Sequence, residues 1–321
     1  MAESVQSYPE MPMARDRDSL SYKIDLFKRK YLAGYLFISP WILGFIIFTF
    51  GPFLYSLYLS FTRYTLVAAP NWVGISNFQR LFFEDRYFTK TLFNTFYYVV
   101  FRVPGVQIIS LFLALILAQD LKGIAIYRTV FYLPTVTSGV ATAILWQWIF
   151  NTRFGIINIA LGRIGIQGPG WLTTTTWSMP ALIIMSFWGV GGPMIIYLAA
   201  LKNVPVQLYE AASIDGANAF QQFFNVTLPL ITASIFFNVI MGIIGSFQVF
   251  TQAYVITGGG PADSTLFYVL YLYRVAFENL RMGYASALAW ILFLIILAFT
   301  MVQVVLSKRW VYYEGARPGR I

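Results

Sequence analysis

The side chains best suited to chemistry in this sequence are polar groups set inside long apolar stretches, and none of them is a histidine or a cysteine. The chain has no His and no Cys, which excludes imidazole acid–base catalysis, Ser-His-Asp and Cys-His nucleophiles, and nearly every zinc site. The apolar stretches also contain no Asp, Glu or Lys, so a membrane enzyme built on a carboxylate pair or a Ser-Lys dyad is not favoured. These side chains suit binding or transport better than catalysis.

Arg102 is the charged residue that lies well inside an apolar stretch, two positions before Pro104. Charges within a membrane usually face a bundle interior or a water-filled pathway. A long cationic side chain can instead extend to the membrane interface and keep its charged end in water. The sequence leaves both interpretations open.

Three apolar stretches are interrupted by small and polar residues: F-Y-L-P-T-V-T-S-G, S-F-W-G-V-G-G-P-M and G-S-F-Q-V-F-T-Q-A-Y. Neutral hydroxyl and amide groups beside a tryptophan suit a sugar, which needs matched donors and acceptors and a ring on which to stack. The same residue types also hold membrane helices together. Because the interruptions fall in neighbouring stretches, we predict a shared substrate pathway whose members include Thr135, Gly139, Ser186, Trp188, Ser246, Gln248, Gln252 and Arg102.

The elements that must position these residues are membrane-spanning helices. Hydrophobic residues make up 58% of the 321-residue chain and charged residues 11%, far from the averages of soluble proteins. A helix needs roughly 20 apolar residues to cross the hydrocarbon core. The sequence predicts an all-α membrane protein with spans near Tyr31–Leu59, Thr91–Ala118, Thr129–Phe150, Trp177–Ala200, Ile231–Ile256 and Met282–Leu306.

The basic residues lie at the ends of the apolar stretches and form no stripe with stacking aromatic residues, so the net charge of +9 does not indicate a nucleic-acid partner. Cytoplasmic connections carry the excess of Lys and Arg, and the termini are the most basic segments. We therefore predict cytoplasmic termini, with a polar tail at residues 1–25, a six-helix transmembrane domain at residues 26–310 and a short tail at residues 311–321.

The connection at residues 202–230 is too polar to cross the membrane and too rich in helix formers for a flexible linker. Pro205 suits the first turn of a short helix, Gly216 suits a sharp turn, and a second short helix follows before Pro229. This predicts a helix-turn-helix on the cytoplasmic surface. A hairpin lying on lipid would carry more Lys and Arg on its polar face, so docking to a protein is the favoured interpretation.

The stretch E-A-A-S-I-D-G-A-N-A-F-Q-Q-F-F-N-V-T-L-P-L closely resembles the EAA loop of the permeases of binding-protein-dependent ABC importers. Y-L-S-F-T, W-V-G-I-S-N-F, Y-R-T-V-F-Y-L-P and T-G-G-G-P extend the resemblance to the sugar-type permeases, similar to the larger membrane subunit of the maltose importer. The resemblance implies the six-helix type I importer (MetI-like) fold in a bacterial or archaeal plasma membrane. It covers the chain except for about its first 25 residues.

The resemblance implies that the loop is a coupling helix inserted into a cytoplasmic ATPase. Its docking residues would be Glu210, Ala211, Ala212, Asp215, Gly216, Ala217 and Phe220. Implied sugar contacts fall at Thr135, Gly139, Gly242, Ser246 and Val249, and less directly around Ser186. Because Gly139, Gly242 and Val249 lack the hydrogen-bonding side chains found in the maltose protein, the substrate differs or the partner permease holds it.

The implied partners are a second permease subunit, two ATPase subunits and an extracytoplasmic binding protein. No Walker A sequence occurs in the chain, so ATP and Mg are expected on the ATPase and no cofactor in this chain. A phosphorylated polyol such as glycerol phosphate is the alternative substrate, since Arg102 would suit an anion. A secondary transporter is disfavoured because paired repeats and membrane-embedded acids for ion coupling are missing from the sequence.

Overall fold

The computed structural model describes residues 32–119 and 122–312. The predicted tail at residues 1–25 and most of the predicted tail at residues 311–321 lie outside the described residues. The chain divides into two compact units, Met1–Tyr58 and Leu59–Ile321, and the division falls inside the permease domain predicted at residues 26–310.

The described residues are predominantly helical. In chain order the elements are α1 (Gly34–Ser60), β1 (Thr62–Thr65), β2 (Ala68–Trp72), α2 (Ser76–Phe83), α3 (Arg86–Leu117), α4 (Ile124–Val136), α5 (Gly139–Ile149), α6 (Ile156–Arg163), α7 (Thr175–Gly189), α8 (Gly191–Lys202), α9 (Val206–Ile214), α10 (Ala219–Leu230), α11 (Thr232–Phe247), a π-helix (Ala253–Thr257), α12 (Tyr268–Tyr273), a second π-helix (Arg274–Glu278) and α13 (Met282–Ser307).

Among the described residues, α1, α3 and α13 are each long and apolar enough to cross a membrane. Three bent helix pairs meet the same criteria of length and composition, which gives up to six spans. The pairs are α4 with α5, α7 with α8, and α10 with α11, bent by 101°, 44° and 66°. The all-α, multi-span architecture predicted from the apolar stretches is confirmed.

Two predicted spans differ from the observed helices. Thr129–Phe150 was expected as one helix, but α4 ends at Val136 and α5 begins at Gly139. Thr137 has extended backbone angles, which forces the sharp change of direction. The helix in the fifth predicted span, α11, ends at Phe247, and its bent partner is α10, which the sequence placed in the coupling loop.

The helix α3 begins at Arg86, five residues before the predicted start of the second span at Thr91. Sequence reasoning excluded this first turn because it contains charged residues. The Asp85 side chain caps the helix by accepting hydrogen bonds from the backbone N–H groups of Tyr87 and Phe88, at 2.9 and 3.3 Å. Such a cap satisfies two donors that would otherwise lack partners at a helix N-terminus.

Asp85 also joins the start of α3 to two other elements. Its second carboxylate oxygen accepts hydrogen bonds from the Tyr271 hydroxyl of α12 at 2.6 Å and the Tyr284 hydroxyl of α13 at 2.5 Å. Burial, and then the hydrogen bond to Asp85, raise the pKa of the Tyr271 hydroxyl. The tyrosine therefore remains a protonated donor at neutral pH, and one carboxylate organises three helices.

The core of the second unit is built around α3, which packs against α8 and α11. Near the start of α3, Leu81 and Phe88 join the buried residues Tyr268 and Leu288. Towards its end, Ala114 and Leu117 pack against Met194 and Tyr197 of α8. Because α3 contacts both helices along its length, a side chain in the middle of α3 lies between them.

Several shorter elements between the spans had no sequence prediction, among them a β-hairpin and α12. β1 and β2 form an antiparallel hairpin directly after α1, and α12 contributes buried Tyr268 and Leu270. A Cβ atom on residue 283 would clash with the carbonyl oxygen of Thr62, and only glycine avoids this clash. The first turn of α13 therefore approaches β1 so closely because residue 283 has no side chain.

Candidate functional site

A cavity of about 340 Å³ lies between α3, α8 and α11. Its wall includes glycines at positions 189, 192, 242 and 245, and its polar side chains are Arg102, Gln107 and Asn238. Ligand sites are concave, mostly apolar and equipped with a few placed polar groups. The cavity therefore has the form of a solute-binding site, and it adds Gln107 and Asn238 to the sequence-predicted candidates.

Arg102 lies near the middle of α3, with more than about 20 Å of helix on each side. Its guanidinium donates a hydrogen bond to the Ser246 hydroxyl at 2.5 Å and a longer one to the carbonyl oxygen of Gly242 at 3.4 Å. The guanidinium carbon is 5.9 Å from the centre of the Tyr98 ring, within range for a cation–π contact. These contacts hold the charge against α11 and favour the cavity interpretation over extension to the interface.

A buried polar network adjoins Arg102 in the cavity wall. The Tyr197 hydroxyl donates to the side-chain oxygen of Gln107 at 2.6 Å, and the Gln107 side-chain nitrogen donates to the backbone oxygen of Asn238 at 3.1 Å. The buried side-chain amide of Asn238 lies beside the same Tyr197 hydroxyl, whose oxygen can accept a hydrogen bond from it while its hydrogen is donated to Gln107. Sequence reasoning missed this network because single polar residues in apolar stretches resemble helix-packing residues.

Thr135, Gly139 and Trp188 do not line this cavity. Thr135 is exposed and its hydroxyl donates to the carbonyl oxygen of Tyr132 at 2.6 Å, while its methyl group lies 4.0 Å from the position of a Cβ on Gly192. Gly139 is exposed at the start of α5. Trp188 is 44% exposed and packs edge-to-face on Trp146. These residues lie on exposed surface, and Thr135 is next to the cavity wall.

The remaining predicted pathway residues are dispersed. The Ser186 hydroxyl donates to the carbonyl oxygen of Ile183 at 2.6 Å, Gln248 is exposed and Gln252 is half-buried. Val249 is buried in an aromatic-rich core cluster, so its side chain does not face the cavity. The difference arises because α11 ends at Phe247 and the backbone is not helical from Gln248 to Phe250, so the helical segment that resumes at Thr251 has a different register from α11.

The predicted helix-turn-helix is present as α9, a turn at Gly216, and α10. Pro205 immediately precedes α9 as its N-cap residue, with extended backbone angles. Gly216 has φ +80°, a conformation that non-glycine residues adopt only with strain. The Asn218 side chain accepts a hydrogen bond from the Gln221 backbone and the Gln221 side chain accepts one from the Asn218 backbone, at 2.9 and 2.8 Å. This capping box fixes the start of α10.

Hydrogen bonds between its two helices make this hairpin a defined unit. The Tyr209 and Thr227 hydroxyls are 2.9 Å apart, and the Gln222 side-chain nitrogen donates to the Ser213 hydroxyl at 2.9 Å and to the carbonyl oxygen of Ala217 at 3.1 Å. Sequence reasoning missed these residues because their partners lie across the turn.

We expect Tyr209→Phe to lower the free energy of unfolding by about 0.5 to 1.5 kcal/mol, since it removes one hydrogen bond. Thermal unfolding in detergent would measure the change. Tyr312→Phe is the matched control because no hydrogen bond of the Tyr312 hydroxyl to a described residue is recorded. An effect of Tyr209→Phe no larger than that of the control would contradict the role of the bond.

The hairpin presents the residues predicted for docking on its surface. Glu210, Ala211, Asp215 and Gly216 are exposed, and Ala212 and Ala217 are half-buried. Large apolar side chains are exposed beside them, with Ile214 at 87% and Phe220 at 72%. Glu210 makes no recorded ion pair or side-chain hydrogen bond with described residues. A carboxylate amid exposed apolar groups fits a protein interface.

Within residues 32–119 and 122–312, no cluster of three or more Asp and Glu side chains is arranged to hold a metal ion. The polar side chains of the cavity are the amides of Gln107 and Asn238 and the guanidinium of Arg102, and the buried Ser246 hydroxyl lies behind them as a partner of Arg102. Such groups bind oxygen-rich organic solutes rather than cations.

A family model described as "Binding-protein-dependent transport system inner membrane component" matches residues 88–312. The "Probable ABC transporter permease protein YesP" of Bacillus subtilis (strain 168) is 47% identical over 292 residues, covering 90% of this chain and 94% of that protein. The "Arabinooligosaccharides transport system permease protein AraP" of Halalkalibacterium halodurans is 33% identical, covering 88% and 89%. The "Lactose transport system permease protein LacF" of Rhizobium radiobacter is 36% identical, covering 86% and 94%.

The fold is also similar to solved structures. A chain of a bacterial alginate ABC transporter in complex with an alginate pentasaccharide-bound periplasmic protein superposes with a TM-score of 0.79 at 25% identity. The match covers 92% of this chain and 98% of the transporter chain. The cavity and the exposed hairpin thus occur in a chain that matches ABC transporter permeases over nearly its whole length.

Proposed function

Since the chain belongs to the family of binding-protein-dependent transport system inner membrane components, we propose that it forms part of the translocation pathway of an ATP-driven importer for a sugar or oligosaccharide. It is a multi-pass permease subunit of an ABC importer. The observation that carries the proposal is the rigid α9–α10 hairpin, which exposes Glu210, Ile214 and Phe220 together.

The hairpin supports a mechanical role in coupling. Its helices are joined by side-chain hydrogen bonds, and α10 leads through Ile231 into α11, which carries Gly242 and Gly245 of the cavity wall. A force applied to the hairpin by an ATPase would therefore reach the cavity wall through a short helical path. Two sites are coupled when each of them shifts the equilibrium between two states of a shared element. We propose the α10–α11 pair as that element.

A saccharide substrate is supported by the names of the relatives and by the cavity. The relatives are named for arabinooligosaccharides, lactose and starch degradation products, and the structural neighbour for alginate. The cavity combines glycine-lined space with amide and guanidinium groups. A phosphorylated polyol is the second candidate, which the guanidinium of Arg102 favours.

The proposed assembly contains a second permease subunit, two cytoplasmic ATPase subunits that bind ATP and Mg, and an extracytoplasmic binding protein that delivers the solute. In this arrangement the chain itself binds no cofactor and catalyses no reaction. The α9–α10 hairpin and both termini face the cytoplasm, and the second permease completes the pathway beside Thr135, Gly139 and Trp188.

The proposal is tested by reconstituting the complex in lipid vesicles and measuring ATP hydrolysis stimulated by the sugar-loaded binding protein. We expect Glu210→Lys to lower the stimulated rate at least about tenfold, since a reversed charge within an interface costs several kcal/mol. Gly216→Leu strains the turn by about 1 to 2 kcal/mol and displaces the docking surface. Both variants are expected to release the ATPase in a pull-down while still inserting into the membrane.

Matched controls exist for both changes. Glu84→Lys reverses an exposed acid at the end of α2, and Gly165→Leu places leucine at a glycine with φ +77° and open space around it. These controls are expected to retain ATPase binding. If Glu210→Lys and Gly216→Leu retain it equally well, the hairpin is not the docking site; if no sugar stimulates the wild-type complex, the importer proposal fails.

A further inference from the structure

The Arg102 side chain carries a positive charge into the interior of the helical unit without a compensating acid. No carboxylate of the described residues lies within 4.0 Å of its guanidinium. Its recorded partners are the Ser246 hydroxyl, the carbonyl oxygen of Gly242 and the ring of Tyr98, all of them neutral. The charge is held in place but not neutralised.

A fixed positive charge that faces a cavity and has only neutral partners can attract an anion. Arg102 lies near the middle of α3, whose length of about 48 Å exceeds the roughly 30 Å hydrocarbon core. Charged residues at this depth usually face the bundle interior or a water-filled cavity, pair with one another or with backbone carbonyls, and mark substrate pathways. A neutral hydrogen-bond donor on α3 would be enough to join α3 to Ser246 of α11. The hydrogen bond to Ser246 therefore does not explain why the residue at position 102 is charged.

The rest of the cavity wall also supplies no acidic side chain that could neutralise Arg102. Its lining includes no Asp or Glu among the described residues. The side-chain amides of Gln107 and Asn238 are engaged with Tyr197 and with one another's helix inside the wall. The site thus offers a positive charge that no acidic side chain of its lining offsets, which suits an oxyanion.

We propose that the transported solute is an acidic saccharide whose anionic group, a uronate carboxylate or a phosphate ester, binds to Arg102 in this cavity. The inference rests on the proposed sugar-importer function and names the substrate class of that site. A guanidinium binds carboxylate and phosphate through two parallel hydrogen bonds. The glycine-lined wall leaves room for the sugar ring that carries the anion.

The test compares three probes in proteoliposomes that contain the complete importer. They are a uronic-acid trisaccharide, the same trisaccharide after reduction of its carboxyl groups, and a sugar phosphate. Binding of each probe to the binding protein is measured first by calorimetry, and uptake and stimulated ATP hydrolysis are then followed. The reduced trisaccharide keeps the ring geometry and linkage, so charge is the variable.

The matched variants are Arg102→Gln, Arg102→Lys and Arg128→Gln. Arg128 also donates to a backbone carbonyl, that of Leu117, at 3.1 and 2.7 Å, but it does not line the cavity. We expect Arg102→Gln to lower the ratio of kcat/KM for acidic over reduced trisaccharide about tenfold or more. Arg102→Lys should retain part of that ratio, and Arg128→Gln all of it.

Preference for the uronate or for the sugar phosphate in the wild type identifies the source of the anion. The proposal is overturned if the binding protein binds only the reduced trisaccharide. It is also overturned if Arg102→Gln lowers uptake of the acidic and the reduced trisaccharide by the same factor, because an equal loss indicates a structural role for Arg102. Stimulation of the wild type by neutral sugar alone refutes the acidic substrate but leaves the importer function standing. Absence of stimulation by every probe counts against both.

Discussion

Replacement of Gly245 by leucine is expected to reduce solute uptake to background while the protein still folds. Gly245 lines the cavity between α3, α8 and α11, and a Cβ atom placed there would meet no heavy atom within 4 Å. The new side chain would therefore occupy solute space instead of displacing the packed core. In a helix, leucine is also more favourable than glycine by roughly 0.5 to 1 kcal/mol.

Uptake of radiolabelled saccharide into proteoliposomes would measure the block, and thermal unfolding in detergent would show that the fold is retained. Gly162→Leu is the matched control, because Gly162 is a helical glycine in α6 with equally open surroundings. Gly189→Leu fills the same cavity from the opposite wall, again into open space. Uptake at the wild-type rate by both cavity variants would mean that the solute takes another route.

The coarse architecture and the α9–α10 hairpin followed from the sequence because their signals are local. A run of apolar residues long enough to cross a bilayer identifies a span without reference to the rest of the fold. The hairpin was predicted from the polar break in that pattern, a glycine suited to a turn and a family resemblance. In the structure Gly216 has the positive φ that this prediction required.

The helix breaks were only partly predictable. Pro134 and Gly139 marked the third span as a place where the backbone can open, but not that α4 and α5 would meet at 101°. The bend angle depends on which neighbours each half packs against, and one sequence does not specify them. The start of α3 was missed for a different reason. Its first turn contains charged residues, so it lay outside the apolar stretch, although the Asp85 side chain caps the helix there.

The site was predictable in residue type but not in arrangement. Arg102, Gly242 and Ser246 were each singled out, and the structure brings them into direct contact. Gln107 and Asn238 were missed, since their significance depends on α3 and α11 being adjacent. Val249 was placed on the pathway by resemblance, but it is buried in the core because the helix has already ended. Contacts between helices decide the function of polar residues in membranes, and sequence spacing within one helix does not reveal those contacts.

The largest loss of stability is expected from Asp85→Ala, which should lower the free energy of unfolding by about 3 to 5 kcal/mol. The substitution removes a helix N-cap, worth about 0.5 to 2 kcal/mol, and two hydrogen bonds from tyrosines to a charged acceptor, worth about 1.5 kcal/mol or more each. The start of α3 would separate from α12 and α13. Thermal unfolding in detergent, followed by circular dichroism or intrinsic fluorescence, would measure the change.

The contributions of the cap and of the tyrosines can be separated. Asp85→Asn can keep the helix cap, but it offers the two tyrosine hydroxyls a neutral acceptor instead of a charged one. We therefore expect it to lower the free energy of unfolding by less than Asp85→Ala does. Tyr271→Phe and Tyr284→Phe should each cost about 1 to 3 kcal/mol, and combining either with Asp85→Ala should add little, because the partner is already gone.

Glu84→Ala, at the neighbouring exposed acid, is the control and should be close to neutral. If Asp85→Ala is no more destabilising than Glu84→Ala, the carboxylate does not hold the three helices together; full additivity with the tyrosine variants would show that the hydroxyls act independently of it.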